Sequence, residues 1–248
     1  MCIRDRSWNI FVNLLFYKLY DSKMKLVLTL TTLVWISLVY FGPFDSVQGI
    51  SSKLLYVHVP SVWIAYLGYF LTFVYSISYL VSKNSKFDSL AVANAKSGVI
   101  FTAITLISGS VWGKLTWGNW WVWGDARLNL TAILMLVYLG YIASRQFNFD
   151  LSKTARNSSI IGIFGIIQIP ILHFSVLWWR SVHQQATLLS QETVSSGDAP
   201  MSTDILITLL SGVAIVSVIH FLVVKILKNN NDKVWDNYLK PQSRAKIL

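Results

Sequence analysis

Six apolar runs restrict what this chain can fold into. They lie at about Leu26–Phe41, Val59–Val81, Ser97–Trp112, Leu128–Ala143, Ile160–Leu177 and Ile205–Ile226 of its 248 residues. Each is near the roughly 17–25 residues that cross a bilayer as a helix. In hydrocarbon every backbone N–H and C=O must find a partner within the protein, which leaves helices and closed barrels. These runs are continuous rather than alternating, so they predict an all-α, polytopic membrane protein, a bundle of six transmembrane helices. Composition agrees: 54% of residues are hydrophobic and only 13% charged, about half the charge of a typical soluble domain. The fifth run contains Gln168 and Pro170, which a helix tolerates if neighbours satisfy the freed backbone. The first run lacks a small-residue cleavage site and reads as a span rather than a leader.

The basic residues predict the orientation. Seventeen of the 21 Lys and Arg fall in the N-terminal segment, the second-to-third and fourth-to-fifth connections and the C-terminal tail. Only Lys53, Lys114, Arg127 and Arg180 fall in the other three connections. Positive charge collects on the cytoplasmic side, so both termini are expected there. The expected organisation is a cytoplasmic segment over 1–24, a membrane domain over 25–227 and a cytoplasmic tail over 228–248. The net charge of +10 is explained by this topology rather than by nucleic acid, because the basic residues do not share one face.

Several chemistries find no support. The one cysteine, Cys2, allows no internal disulfide or multi-Cys metal site. It lies in Met1-Cys-Ile-Arg-Asp-Arg-Ser7, a stretch that resembles a translated sequencing adapter, so it is set aside. There is no GxSxG, HExxH, P-loop or CxxCH motif, and the spans hold almost no ionisable groups, which argues against proton-coupled transport.

The stretch from Trp112 to Arg127 holds five Trp in sixteen residues, interleaved with Gly113, Gly118 and Gly124 and closed by Asp125 and Arg127. One reading is an interfacial aromatic belt. The other is a seat for a large, flat, apolar ligand with acidic groups, such as heme. Two His sit on the neighbouring outer connections. His58 precedes Pro60, and His183 follows Trp178, Trp179 and Arg180. Taken alone, His58 reads first as a capping or interfacial His and His183 as a loop His in water. Together, flanking the Trp turn, they can approach one iron from opposite sides, since neutral imidazole is a common iron ligand. Arg127 and Arg180 either snorkel to lipid phosphate or hold anionic propionates in bidentate fashion. Asp125 either pairs with Arg127 or orients a ligating His through its second nitrogen. His173 reads as a hydrogen-bonded helix His, His220 as structural, and Lys53 and Lys114 as solvated anchors.

With these residues in view, the sequence resembles the heme exporter protein C (CcmC) family of cytochrome c maturation, within the broader WWD-motif heme-handling group. The matching residues are Trp117, Gly118, Trp121, Trp123 and Asp125, followed by Ala126, Arg127 and Leu128, together with the segments 55–60 and 169–184. Gly124 separates Trp123 from Asp125, where the usual motif has Trp and Asp adjacent. The resemblance implies a heme-transfer protein rather than an enzyme, in the bacterial inner membrane. It implies transiently bound heme b at the periplasmic face, with His58 and His183 as axial ligands and the Trp turn, including Asp125, as platform. Arg127 and Arg180 would meet the propionates, with Trp178 and Trp179 secondary. The implied partners are a membrane-anchored periplasmic heme chaperone, ABC-type transporter subunits and a small single-span subunit. A cytochrome c heme-attachment synthase component and a small-molecule permease with an aromatic gate are the competing functions.

Overall fold

A computed structural model of the chain describes residues 22–146, 150–179, 181–183 and 201–245. Among these residues seven α-helices make six spans: α1 Ser22–Phe41, α2 Leu55–Ser82, preceded by a 3-10 turn Ile50–Leu54, α3 Ser85–Trp117, α4 Ala126–Ser144, α5 Leu151–Gly165, α6 Gln168–Trp178 and α7 Thr203–Ala245. All six spans are long and apolar enough to cross a membrane, α5 and α6 being two halves of one. No strand forms among the described residues. The expected all-α polytopic fold is therefore the fold of this protein.

Helix ends follow from local chemistry. The side chains of Asn84, Asp125 and Asp150 accept from backbone amides of the first turns of α3, α4 and α5, as N-caps do. Gly118, at φ 77°, stops α3 in a left-handed conformation that a side chain would strain. The two prolines within the spans each leave a carbonyl without its usual donor. Pro60 frees the carbonyl of Tyr56, and the Trp35 indole on α1 donates to it at 3.1 Å. Pro170 frees Ile166, whose carbonyl takes the Ile169 amide at 3.1 Å instead. The helix is interrupted there, and the Gln168 side chain donates across to the Leu130 carbonyl at 2.8 Å.

The α2–α3 pair is the centre of the bundle, with α7 and α1 on one side and α4, α5 and α6 on the other. Gly68 and Gly98 let α2 and α3 approach closely: a Cβ at Gly98 would come within 2.5 Å of the Tyr69 ring. Small residues at such crossings replace the hydrophobic drive that is absent in lipid. Tyr69 stacks on Tyr138 of α4 at 3.7 Å between centroids, and its hydroxyl bonds Thr102 at 2.7 Å. His220 of α7 is fully buried and bonds Ser97 at 2.8 Å, the structural place expected of it.

Two helices run further than their apolar stretches. Lys96, expected in a connection, lies well inside α3. The tail after residue 227 continues α7 as helix, and Trp235 is buried at 5% exposure. Its indole donates to Asp88 at 2.7 Å. Asp88 also receives Arg145 through both guanidinium nitrogens, at 2.8 and 2.7 Å, and Arg145 reaches Ser158 at 2.7 Å. This latch ties α3, α4, α5 and α7 together at the end of the bundle opposite the Trp turn.

Candidate heme site

The end of α3 carries the centre of the site. Its last two turns bear Trp112 and Trp117, and each indole meets a different histidine. Trp112 lies edge-on to His58, with centroids 6.0 Å apart, and Trp117 lies edge-on to His183 at 5.0 Å. Gly113 makes room for this, because a Cβ there would come within 3.1 Å of the Trp117 ring. His58 lies within electrostatic reach of both His183 and Arg127. The structure thus brings His58, His183, Arg127 and the Trp turn to one end of the bundle.

His58 sits near the start of α2, with its ring against α3. A Cβ at Gly109 would fall 2.8 Å from the ring, so only glycine fits beneath it. Nδ1 lies 3.2 Å from the Ser108 hydroxyl. That hydroxyl donates its own hydrogen to the Ile104 carbonyl at 2.7 Å. A hydroxyl so engaged is an acceptor towards His58, and in that arrangement Nδ1 holds the ring proton and Nε2 its lone pair.

His183 is positioned by Asp125. Asp125 is 1% exposed and caps α4 by accepting from the Leu128 amide at 3.0 Å. Its other oxygen accepts from the Ser181 hydroxyl at 2.6 Å and the Val182 amide at 2.9 Å. Nδ1 of His183 lies 3.4 Å from the carboxylate. Burial opposes ionisation of Asp125, yet the bonds from Ser181 and Leu128 and the neighbouring His183 hold its carboxyl below the ordinary 3.8. Burial pushes the His183 imidazole below its ordinary 6.5, although Asp125 acts the other way. The imidazole is therefore neutral at pH 7, the form that binds iron. Of the two roles open to Asp125, the geometry matches orientation of a histidine. Asp125 lies beneath the Trp turn rather than on its exposed face.

The turn above it presents indoles outward. Trp120 is 59% exposed and Trp123 81%. The Gly124 insertion is accommodated by a tight turn, with the Asp125 amide bonding the Val122 carbonyl at 2.9 Å. Asn129, which the sequence did not single out, ties the turn down. Its side chain accepts from the Trp121 indole at 3.2 Å and donates to the Trp123 carbonyl. The available signal was its position one turn after Asp125, as an amide at the start of an apolar run.

Arg127 donates to the His173 carbonyl at 3.0 Å, and its Nε has no hydrogen-bond partner. Among the described residues it makes no ion pair within 4.0 Å, so Asp125 is not its salt-bridge partner. A desolvated guanidinium with an unused donor suits an incoming carboxylate. Trp178 and Trp179 are exposed at the C-terminal end of α6. Arg180 lies outside the described residues.

Three expectations are corrected. His173 is exposed on α6, and its ring meets the edge of Phe174 rather than a hydrogen-bond partner among the described residues. Lys114 is not simply solvated: it donates to the Gly118 carbonyl at 2.9 Å and so caps the end of α3. Lys53 likewise donates to the Tyr40 carbonyl, tying the first connection to α1.

The profile of the family described as heme exporter protein C matches residues 9–237. The heme exporter protein C of Escherichia coli (strain K12) is 36% identical over 172 residues, covering 68% of this chain and 69% of that protein. A putative cytochrome c biosynthesis ccmC-like mitochondrial protein of Marchantia polymorpha is 38% identical over 150 residues, 60% of this chain and 63% of that one. The match thus spans less than two thirds of the Marchantia polymorpha relative. The heme exporter protein C of Haemophilus influenzae is 36% identical over 155 residues, 62% of this chain and 63% of that protein.

Proposed function

Because this chain belongs to the heme exporter protein C family, we propose that it binds heme at the periplasmic face of the bacterial inner membrane. It then hands the heme to a membrane-anchored periplasmic chaperone during c-type cytochrome maturation. The observation that carries this reading is the convergence of His58 and His183 on one helix end, each against its own Trp and each with Nδ1 committed to a partner. Both imidazoles thereby keep Nε2 for iron. Their second partners fix tautomer and orientation, as around most protein-bound metals.

In this reading heme b is cargo, held transiently. The exposed indoles of Trp120 and Trp123 offer flat apolar faces to the porphyrin. Trp117, Gly118 and Trp121 shape the platform, and Asp125 supports it from below. Arg127 and Arg180 meet the propionates, while Trp178 and Trp179 line the rim. The site is open towards the outer face, which leaves an edge for the acceptor. ABC-type transporter subunits and a small single-span subunit complete the pathway, and any energy input comes from them. The role is transfer rather than catalysis.

Purification in detergent after heme-replete expression, followed by an absorption spectrum, tests the reading. The expected result is a six-coordinate, bis-imidazole Soret band in the wild type that gives way to a five-coordinate one in His58→Ala and in His183→Ala. A protein that carries no heme, and takes up none when hemin is added, would point instead to a permease with an aromatic gate.

A further inference from the structure

The two histidines have different partners, and the difference bears on how heme leaves. Behind His58 stands a neutral hydroxyl whose own hydrogen is bonded to the backbone. Behind His183 stands a buried carboxylate. A carboxylate acceptor on Nδ1–H raises the donor strength of the opposite nitrogen more than a hydroxyl does. Resting on the bis-histidine reading above, we propose that the pair is unequal: His58 is the exchangeable ligand, Ser108 is its positioning residue, and His183 stays on iron during hand-off.

Tethering does not reverse the order. His183 lies on a connection, but residues 181–183 of it are held in place. Asp125 binds Ser181, Val182 and His183 together, and Asp125 is itself fixed as the N-cap of α4. His58, once off iron, still has a place to rest. Its ring lies against the bare backbone of Gly109, with Ser108 at its Nδ1. The exchange is a ligand substitution without redox change. The bond between iron and His58 Nε2 breaks, Nε2 keeps the electron pair, and Nδ1 keeps its proton. An incoming lone-pair donor from the acceptor fills the vacated position. The geometry therefore assigns the His58 side of the site as the side from which the acceptor approaches iron.

Carbon monoxide is a probe that replaces one axial ligand of ferrous heme and reports on the ligand left opposite. The full chain in detergent, loaded with hemin and reduced, is exposed to CO as wild type, His58→Ala and His183→Ala. If His183 is retained, the C–O stretch of the His58→Ala adduct equals that of wild type, while the His183→Ala adduct differs. Ser108→Ala should admit CO about 10-fold faster, the scale of a lost partner behind a ligand. Ser108→Thr, which keeps the hydroxyl, should restore the wild-type rate. Neither Ser108 variant should move the C–O stretch. A His183→Ala adduct that matches wild type, or a CO rate unchanged in Ser108→Ala, overturns the proposal while leaving the bis-histidine site intact. A wild-type chain that takes up no heme overturns both readings.

Discussion

An imidazole carries one proton at neutral pH, so the partner of one nitrogen decides what the other can do. Around His58 and His183 the partner is on Nδ1 in both cases, whereas His220 spends Nδ1 on Ser97 in the closed centre of the bundle. Chaperone loading should therefore be abolished in His58→Ala and in His183→Ala and persist in His220→Ala. Equal loss from all three would mean a folding defect instead. Arg127→Leu should weaken heme retention about 10-fold, the scale of one charge-assisted hydrogen bond of roughly 1.5 kcal/mol. The bound fraction should keep its bis-imidazole spectrum, and altered ligation would show that Arg127 has another role.

The same residue scale gives a pH dependence. His183 has a folded pKa below its ordinary 6.5, so the unfolded chain binds more protons between the two values. Stability then rises with pH across that window. The contribution is complete above about 6.5 and is lost as pH falls from there towards the depressed value. Heme retention should be flat from pH 7 to 8 and decline on acidification below the ordinary His range, as followed by the Soret band. Retention that falls as pH rises would have the sign wrong. The histidines and the Trp turn were legible in the sequence because such residues stand out among apolar runs. Ser108 and Asn129 were not, since a small polar residue in a span reads first as a helix-packing group. Only the fold shows that one faces His58 and the other binds two positions of the Trp turn.

At the scale of elements, hydropathy located all six spans but not their ends. It registers the part of a helix that sits in hydrocarbon, while the backbone ladder continues for as long as one face can pack. α7 continues because Trp235 buries against Tyr79 and Ala155 and donates to Asp88. No single-residue signal distinguishes that tryptophan from an interfacial one. The buried pair beneath it is held by geometry: Asp88 is fully buried and accepts both arms of Arg145. Removing one partner of such a pair costs about 3 kcal/mol, because the other charge stays buried and uncompensated. Asp88→Asn should lower thermal stability in detergent and expose the region after residue 227 to protease. A variant as stable as wild type, with an equally protected tail, would show that the latch contributes little.

For the whole molecule, the basic-residue asymmetry and the placement of the proposed heme site make one joint claim. The Trp turn and the Asp88–Arg145–Trp235 latch lie at opposite ends of the bundle, so fixing the side of one fixes the side of the other. A C-terminal fusion to a phosphatase active only in the periplasm should be silent. An active fusion would turn the protein over and place the two histidines on the cytoplasmic side.

The interruption at Ile166 has a mechanical consequence. The eleven residues of α6 form a lever about 16 Å long, at 1.5 Å per residue. A tilt of about 10° about the break displaces the outer end by about 3 Å, close to the thickness of an aromatic ring, while α5 stays in place. Two side-chain bonds clamp the lever to α4: Gln168 to the Leu130 carbonyl near the pivot, and Arg127 to the His173 carbonyl further out. The outer clamp, Arg127, is also the cation proposed to meet the propionates. Any carboxylate that draws Arg127 away from His173 loosens the lever at its longer arm, so occupancy of the site and freedom of its wall are set by the same guanidinium.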